Sequence, residues 1–144
     1  MAGRIVQTVL STLDRLAPAK QRAAHLLTGE RGEEAAYFHL RKLGYVMVAR
    51  NYRSPRRRGE IDLIGWDKDV LCFIEVKTKS SREFIPAEVA VNAEKQHDLR
   101  EVAREYLRKV PGEPKTRFDI VSVYFEAKTP QFEVFRNAFP CETM

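Results

Sequence analysis

The chain is 144 residues long, with 25 Lys and Arg against 20 Asp and Glu, a formal charge of +5 when the histidines are neutral. That length predicts one domain, and 44% hydrophobic residues with 10% aromatics supply a core despite 31% charged residues, which excludes disorder by composition. The uncharged stretch from Ile5 to Leu13 contains Gln7, Thr8, Ser11 and Thr12, so it is too short and too polar for a membrane span or a secretory core. A cytoplasmic protein with no membrane partner is expected. Cys72 and Cys141 have no C-x-x-C spacing, which leaves neither a disulfide framework nor a thiolate zinc site, and Cys72 reads as packing within an apolar run. His25, His39 and His97 lack metal-ligand spacing.

Ile5, Val6, Val9, Leu10, Leu13 and Leu16 predict an amphipathic helix ended by Pro18, within an N-terminal appendage of residues 1–28. The main domain is expected over 29–136 and a tail over 137–144. A helix from Glu30 to Leu43, closed by Gly44, would place positions 33, 36, 37, 40, 43 and 44 on one face. Tyr45 to Arg50 reads as a strand, followed by the basic loop Arg53-Ser54-Pro55-Arg56-Arg57-Arg58. Glu60 to Trp66 and Val70 to Lys77 read as two central strands joined through Asp67-Lys68-Asp69. A second helix is expected from Pro86 to about Arg108, its apolar stripe formed by Leu99, Val102, Ala103, Tyr106 and Val110. Pro111-Gly112 ends it, and strands follow at Arg117 to Phe125 and Gln131 to Phe135. The predicted order is α-β-β-β-α-β-β, preceded by the extra N-terminal helix.

Charged side chains inside strands need an explanation, because burial of an uncompensated charge is costly. The period of two puts Glu60 and Asp62 on one strand face, with Ile61 and Leu63 on the other, and Glu75 and Lys77 likewise share a face. A turn at Lys68-Asp69 makes paired residue numbers sum to 137, which sets Asp62 opposite Glu75 and Glu60 opposite Lys77. Opposed β-carbons lie about 4.5–5.5 Å apart, so two carboxylates there repel unless a positive charge lies between them. A hard divalent cation fits, since Mg²⁺ takes oxygen ligands, usually one or two carboxylates with waters and phosphate oxygens. Glu33 adds an acid on the inward stripe of its helix. The bland alternatives are a glutamate favouring a helix N-terminus and a cross-strand Glu60–Lys77 ion pair.

Gly29-x-x-Gly32-Glu33, Gly44-Tyr45, Arg50-Asn51-Tyr52-Arg53, Gly59-Glu60-Ile61-Asp62-Leu63-Ile64, Phe73-Ile74-Glu75-Val76-Lys77 and Arg117-Phe118-Asp119 together resemble the YraN family of endonuclease-like proteins. By resemblance that family belongs to the PD-(D/E)XK nuclease superfamily, beside the archaeal Holliday-junction resolvases. The likeness runs from Gly29 to about Phe125. It implies a restriction-endonuclease-like α/β fold: a central mixed β-sheet flanked by helices, with the active site where the second and third strands diverge. It further implies Asp62 and Glu75 as metal ligands with the main-chain carbonyl of Val76, Lys77 as the catalytic lysine and Glu33 as the helix-borne acid. Lys79 stands where the family carries arginine, and Ile85 where it often carries glycine.

These readings together predict a Mg²⁺- or Mn²⁺-dependent endonuclease acting on DNA, including branched or flapped DNA, with Glu33, Asp62, Glu75 and Lys77 as its catalytic residues. An electrostatic role suits Lys77 better than a basic one, since nearby carboxylates oppose the depressed pKa a base requires. Arg50, Arg53, Arg56, Arg57 and Arg58, with Lys79 and Lys95, are the candidate phosphate contacts, because a guanidinium donates bidentate hydrogen bonds to phosphate. Arg117 and Asp119 share a strand face and read as a buried ion pair supporting the sheet. The alternatives are a catalytically silent nucleic-acid-binding module on the same scaffold, and an interaction protein using its N-terminal helix. A homodimer would suit a two-fold DNA junction.

Overall fold

The structure, a computed structural model, describes residues 19–79 and 92–141. Its elements are α1 (Ala19–Lys42), β1 (Val46–Arg53), β2 (Glu60–Asp67), β3 (Val70–Lys79), α2 (Ala93–Leu107), β4 (Lys115–Tyr124) and β5 (Gln131–Phe139). The order α-β-β-β-α-β-β is the one the sequence predicts. The helix expected near Ile5 lies outside the described residues, as does Pro86, and the helix expected to run from Pro86 begins at Ala93, because Asn92 before it is an extended cap residue.

Helix α1 begins at Ala19 rather than Glu30, and so crosses the 28/29 boundary. The residues before Glu30 are mostly good helix formers, and one glycine among them costs only about 1 kcal/mol against alanine, too little to break the helix. At its other end Gly44 takes φ 100, Gly44 N donates to the Arg41 carbonyl at 3.0 Å and Tyr45 N to the Leu40 carbonyl at 3.0 Å. This is a Schellman closure that leaves Leu43 47% exposed, off the buried stripe the sequence assigned it. Asn92 caps α2, its side chain accepting from Lys95 N at 2.9 Å.

The five strands form one mixed sheet in the order β1-β2-β3-β4-β5. Only β3 and β4 are parallel, and α2 lies on the long connection that a parallel pair requires. The β2–β3 hairpin turns on Lys68, at φ 57, and Asp69, so that its pairs run from Asp67↔Val70 to Leu63↔Ile74 in the expected register. β5 continues to Phe139, past position 136. No helix among the described residues is long and apolar enough to cross a membrane.

Both faces of the central strands are covered. Ala36 and Leu40 of α1 pack on Leu63, Ile74 and Val121, while Leu99, Val102 and Ala103 of α2 pack on Ile61, Phe73 and Phe118. Each large apolar side chain buried in this way contributes about 1.5–3 kcal/mol. Cys72 belongs to the α1 layer, fully buried as its apolar run implied.

Strict alternation is broken by register shifts at Met47/Ala49 and opposite Phe118/Ile120, and also beside the first residues of β2. Ile61 and Ile64 both face the α2 layer although three residues apart, whereas Leu63 faces the α1 layer, so Ile61 and Leu63 do not share a face as expected. On the partner strand Ala49 and Tyr52 both pack toward α2. Between them Asn51 sits at φ 50, and this left-handed residue turns β1 over while the paired β2 turns with it.

Arg117 and Asp119 form the internal ion pair read from the sequence. Arg117 Nε donates to Asp119 Oδ1 at 2.8 Å, and its Nη2 reaches Asp119 Oδ2, Asp67 Oδ2 and the Tyr45 hydroxyl at 2.9, 2.9 and 3.0 Å. Asp119 also accepts from the Tyr45 hydroxyl at 3.1 Å and from Asn137 N at 3.0 Å. The network ties β4 to β5, to the β2–β3 turn and to the residue that closes α1.

Candidate active site

Glu33 reaches the sheet because its neighbour has no side chain. A β-carbon on Gly32 would lie 1.8 Å from Thr78 Oγ1 and 3.0 Å from Thr78 Cβ, so only glycine lets α1 settle this closely on β3. Glu60 and Asp62 come from the first residues of β2. One carboxylate oxygen from each of Glu33, Glu60 and Asp62 lies within 4.8 Å of the others.

These acids are held from several sides. Asp62 Oδ2 accepts from the main-chain N–H of Val76 at 2.8 Å, which ties β2 to β3 just beyond their last paired residues, Leu63 and Ile74. Glu60 Oε2 accepts from Arg53 Nε at 2.5 Å. The side-chain amide of Asn51, with its nitrogen turned toward the acids, donates to Glu33 Oε2 at 3.1 Å and to Glu60 Oε1 at 3.0 Å; the opposite orientation would aim oxygen at oxygen.

The electrostatics follow from this crowding. Burial first, then the charges of Asp62 and Glu60 and a hydrogen bond with Asp62, together raise the Glu33 carboxyl to about 8 against the opposing charge of Arg50. Near neutral pH a proton therefore sits among three carboxylates. Oxygen-only donors at this spacing suit a hard cation such as Mg²⁺ or Mn²⁺, which would replace that proton.

Of the acids singled out in the sequence, the fold gathers Glu33 and Asp62. Glu60, set against Lys77 by register arithmetic, pairs with Arg53 and joins the cluster. Glu75 and Lys77 are each only 3% exposed on β3, and Glu75 lines a narrow crevice with Ile61, Phe73, Leu99 and Phe118, outside the set of three. Val76 contributes its N–H to Asp62.

The arginines divide by role. Arg50 is exposed, its guanidinium 4.8 Å from the Tyr37 ring centroid. Arg53 belongs to Glu60, and Arg57 lies 3.3 Å from Glu101 of α2. The Ser54 hydroxyl donates to Glu105 and accepts from Arg56 N at 3.1 Å, so the basic loop is fastened to α2. Arg56 and Arg58 are exposed; Lys79, at the end of β3, and Lys95, in the first turn of α2, are half-buried. His39 stacks on Phe132 with ring centroids 4.0 Å apart, and His97 is exposed on α2.

The sequence reading missed Asn51 as a site residue. Its signals were its place in the Arg50-Asn51-Tyr52-Arg53 motif and the presence of an asparagine, a residue tolerant of left-handed backbone, inside a β-forming run.

A mixed five-stranded sheet between two helices, with acids gathered beyond the last paired residues of β2 and β3, places the chain in the α/β class with the expected restriction-endonuclease-like arrangement. Residues 32–123 match the family described as "Uncharacterised protein family UPF0102". The chain belongs to this family, the YraN family. A UPF0102 protein of Koribacter versatilis (strain Ellin345) is 49% identical over 133 residues, covering 92% of this chain and 93% of its own. One from Solibacter usitatus (strain Ellin6076) is 50% identical over 112 residues, covering 77% and 84%, and one from Acetivibrio thermocellus is 42% identical over 117 residues, covering 77% and 89%.

Proposed function

We propose that the chain is a metal-dependent endonuclease acting on DNA. The observation that supports this most is the convergence of Glu33, Glu60 and Asp62 within 4.8 Å where β2 and β3 part. Glu33, Glu60 and Asp62 would hold the cation, with Glu75 and the Val76 carbonyl as the further donors the family resemblance suggests. A divalent ion supplies positive charge against the phosphoryl oxygens and lowers the pKa of a coordinated water. Asp62, fixed by the Val76 N–H, keeps a carboxylate aimed at the centre. Lys77 supplies a cationic group two residues beyond Glu75, suited to stabilising the added negative charge of a phosphodiester under attack. Exposed Arg50, Arg56 and Arg58 would contact the DNA backbone.

The test is a cleavage panel of duplex, single-stranded, flapped and four-way DNA with Mg²⁺, Mn²⁺ or chelator. Metal-dependent cutting of at least one substrate is expected, and Asp62→Asn and Lys77→Ala should abolish it without changing the circular dichroism spectrum. DNA binding without cutting on every substrate would favour the silent module; variants that cut as fast as the parent would refute the assignment. Each phosphate contact steepens the log affinity against log salt slope by about 0.9, so replacing Arg56, Arg57 and Arg58 by alanine should flatten it.

A further inference from the structure

Asn51 lies inside β1 at φ 50, a conformation that crowds a β-carbon and that glycine, asparagine and aspartate tolerate best. The pairs Arg50↔Leu63 and Tyr52↔Ile61 set Asn51 beside Asp62. Because Ala49 and Tyr52 both pack toward α2, the chain reverses face at Asn51, and its amide reaches the acids on the other side. There it stands between Glu33 and Glu60, at 3.1 and 3.0 Å. Arg53, two residues on, takes the other oxygen of Glu60.

Resting on the reading of these acids as a cation site, we propose that Asn51 is the positioning residue of the cluster. Its left-handed backbone and its amide together hold Glu33 and Glu60 beside Asp62 before any cation arrives. Both demands fall on one side chain. Glycine would accept the backbone but offers no amide, aspartate would accept the backbone but adds a fourth acceptor, and glutamine carries the amide on a residue ill suited to φ 50.

The experiment measures Mn²⁺ binding by calorimetry and by electron paramagnetic resonance of the free ion, with thermal midpoints in chelator and in Mn²⁺. Asn51→Gly should keep the parent's fold and midpoint yet bind Mn²⁺ about 10- to 100-fold more weakly, the range found when groups that orient metal ligands are removed. Asn51→Asp should melt below the parent in chelator and show a larger rise on adding Mn²⁺. A folded Asn51→Gly that binds Mn²⁺ as tightly as the parent overturns the proposal while leaving the cation site standing, and so does an Asn51→Asp as stable as the parent in chelator. A parent chain that takes up no Mn²⁺ overturns the cation-site reading, and the role of Asn51 with it.

Discussion

Gly32→Ala probes how α1 delivers Glu33 to the sheet. The new methyl would lie 1.8 Å from Thr78 Oγ1, 3.0 Å from its Cβ and 3.2 Å from its Cγ2, where ordinary carbon contacts need about 3.5–4 Å. Turning Thr78 about χ1 removes the first clash but leaves its Cβ too close, so helix and strand must separate by several tenths of an ångström. Overpacking of this kind costs about 1–3 kcal/mol, and the better helix propensity of alanine returns at most about 1 kcal/mol. A net loss of up to about 2 kcal/mol follows, which is up to roughly 10 °C in midpoint for a chain of this size. In a Thr78→Ala background Oγ1 and Cγ2 are gone and only the 3.0 Å contact with Cβ remains, so the same glycine substitution should cost clearly less than in the parent. Urea unfolding of the four proteins in chelator measures the coupling, expected at about 1 kcal/mol or more. Mn²⁺ affinity should fall in Gly32→Ala and recover in part in the double variant, since Glu33 moves with its neighbour. If the glycine substitution costs the same in both backgrounds, to within about 0.5 kcal/mol, Thr78 does not set the approach of α1 and the reasoning fails.

Arg117→Ala should destabilise the chain by about 3–5 kcal/mol in urea titrations, because Asp119, whose side chain is 0% exposed, would lose the charge paired with it. A loss below about 1 kcal/mol would show that Tyr45 and Asn137 suffice. In chelator, the Glu33 carboxyl is raised from 4.5 to about 8 on folding, so the native state binds that proton more tightly than the unfolded chain. The resulting stability is fully present below about pH 4.5 and is lost as pH rises toward 8. Glu33→Gln removes this dependence, so its stability relative to the parent should increase from pH 5 to pH 8; a flat difference across that window would contradict the shift.

Much of this architecture was legible in one dimension. Hydrophobic period and turn residues are local properties, and they gave the order of the described helices and strands, though not where the two helices begin, and, through Lys68-Asp69, a hairpin register that the fold reproduces from Asp67 to Leu63. Charge in apolar surroundings was equally legible: of the residues singled out, Asp62, Glu75 and Lys77 are buried and Glu33 is half-buried. Glu60 was assigned to the wrong neighbour, since arithmetic along one hairpin cannot see Arg53 arriving from β1.

The chain alone determined which residues are costly to bury and on which elements they ride. Tertiary structure decided which of them meet. Three acids from a helix and a strand become one cluster only because Gly32 permits close docking and Asn51 reverses the face of β1. Both involve contacts between segments distant in sequence, Gly32 against Thr78 and the Asn51 amide against Glu33, which no local pattern in the chain reveals.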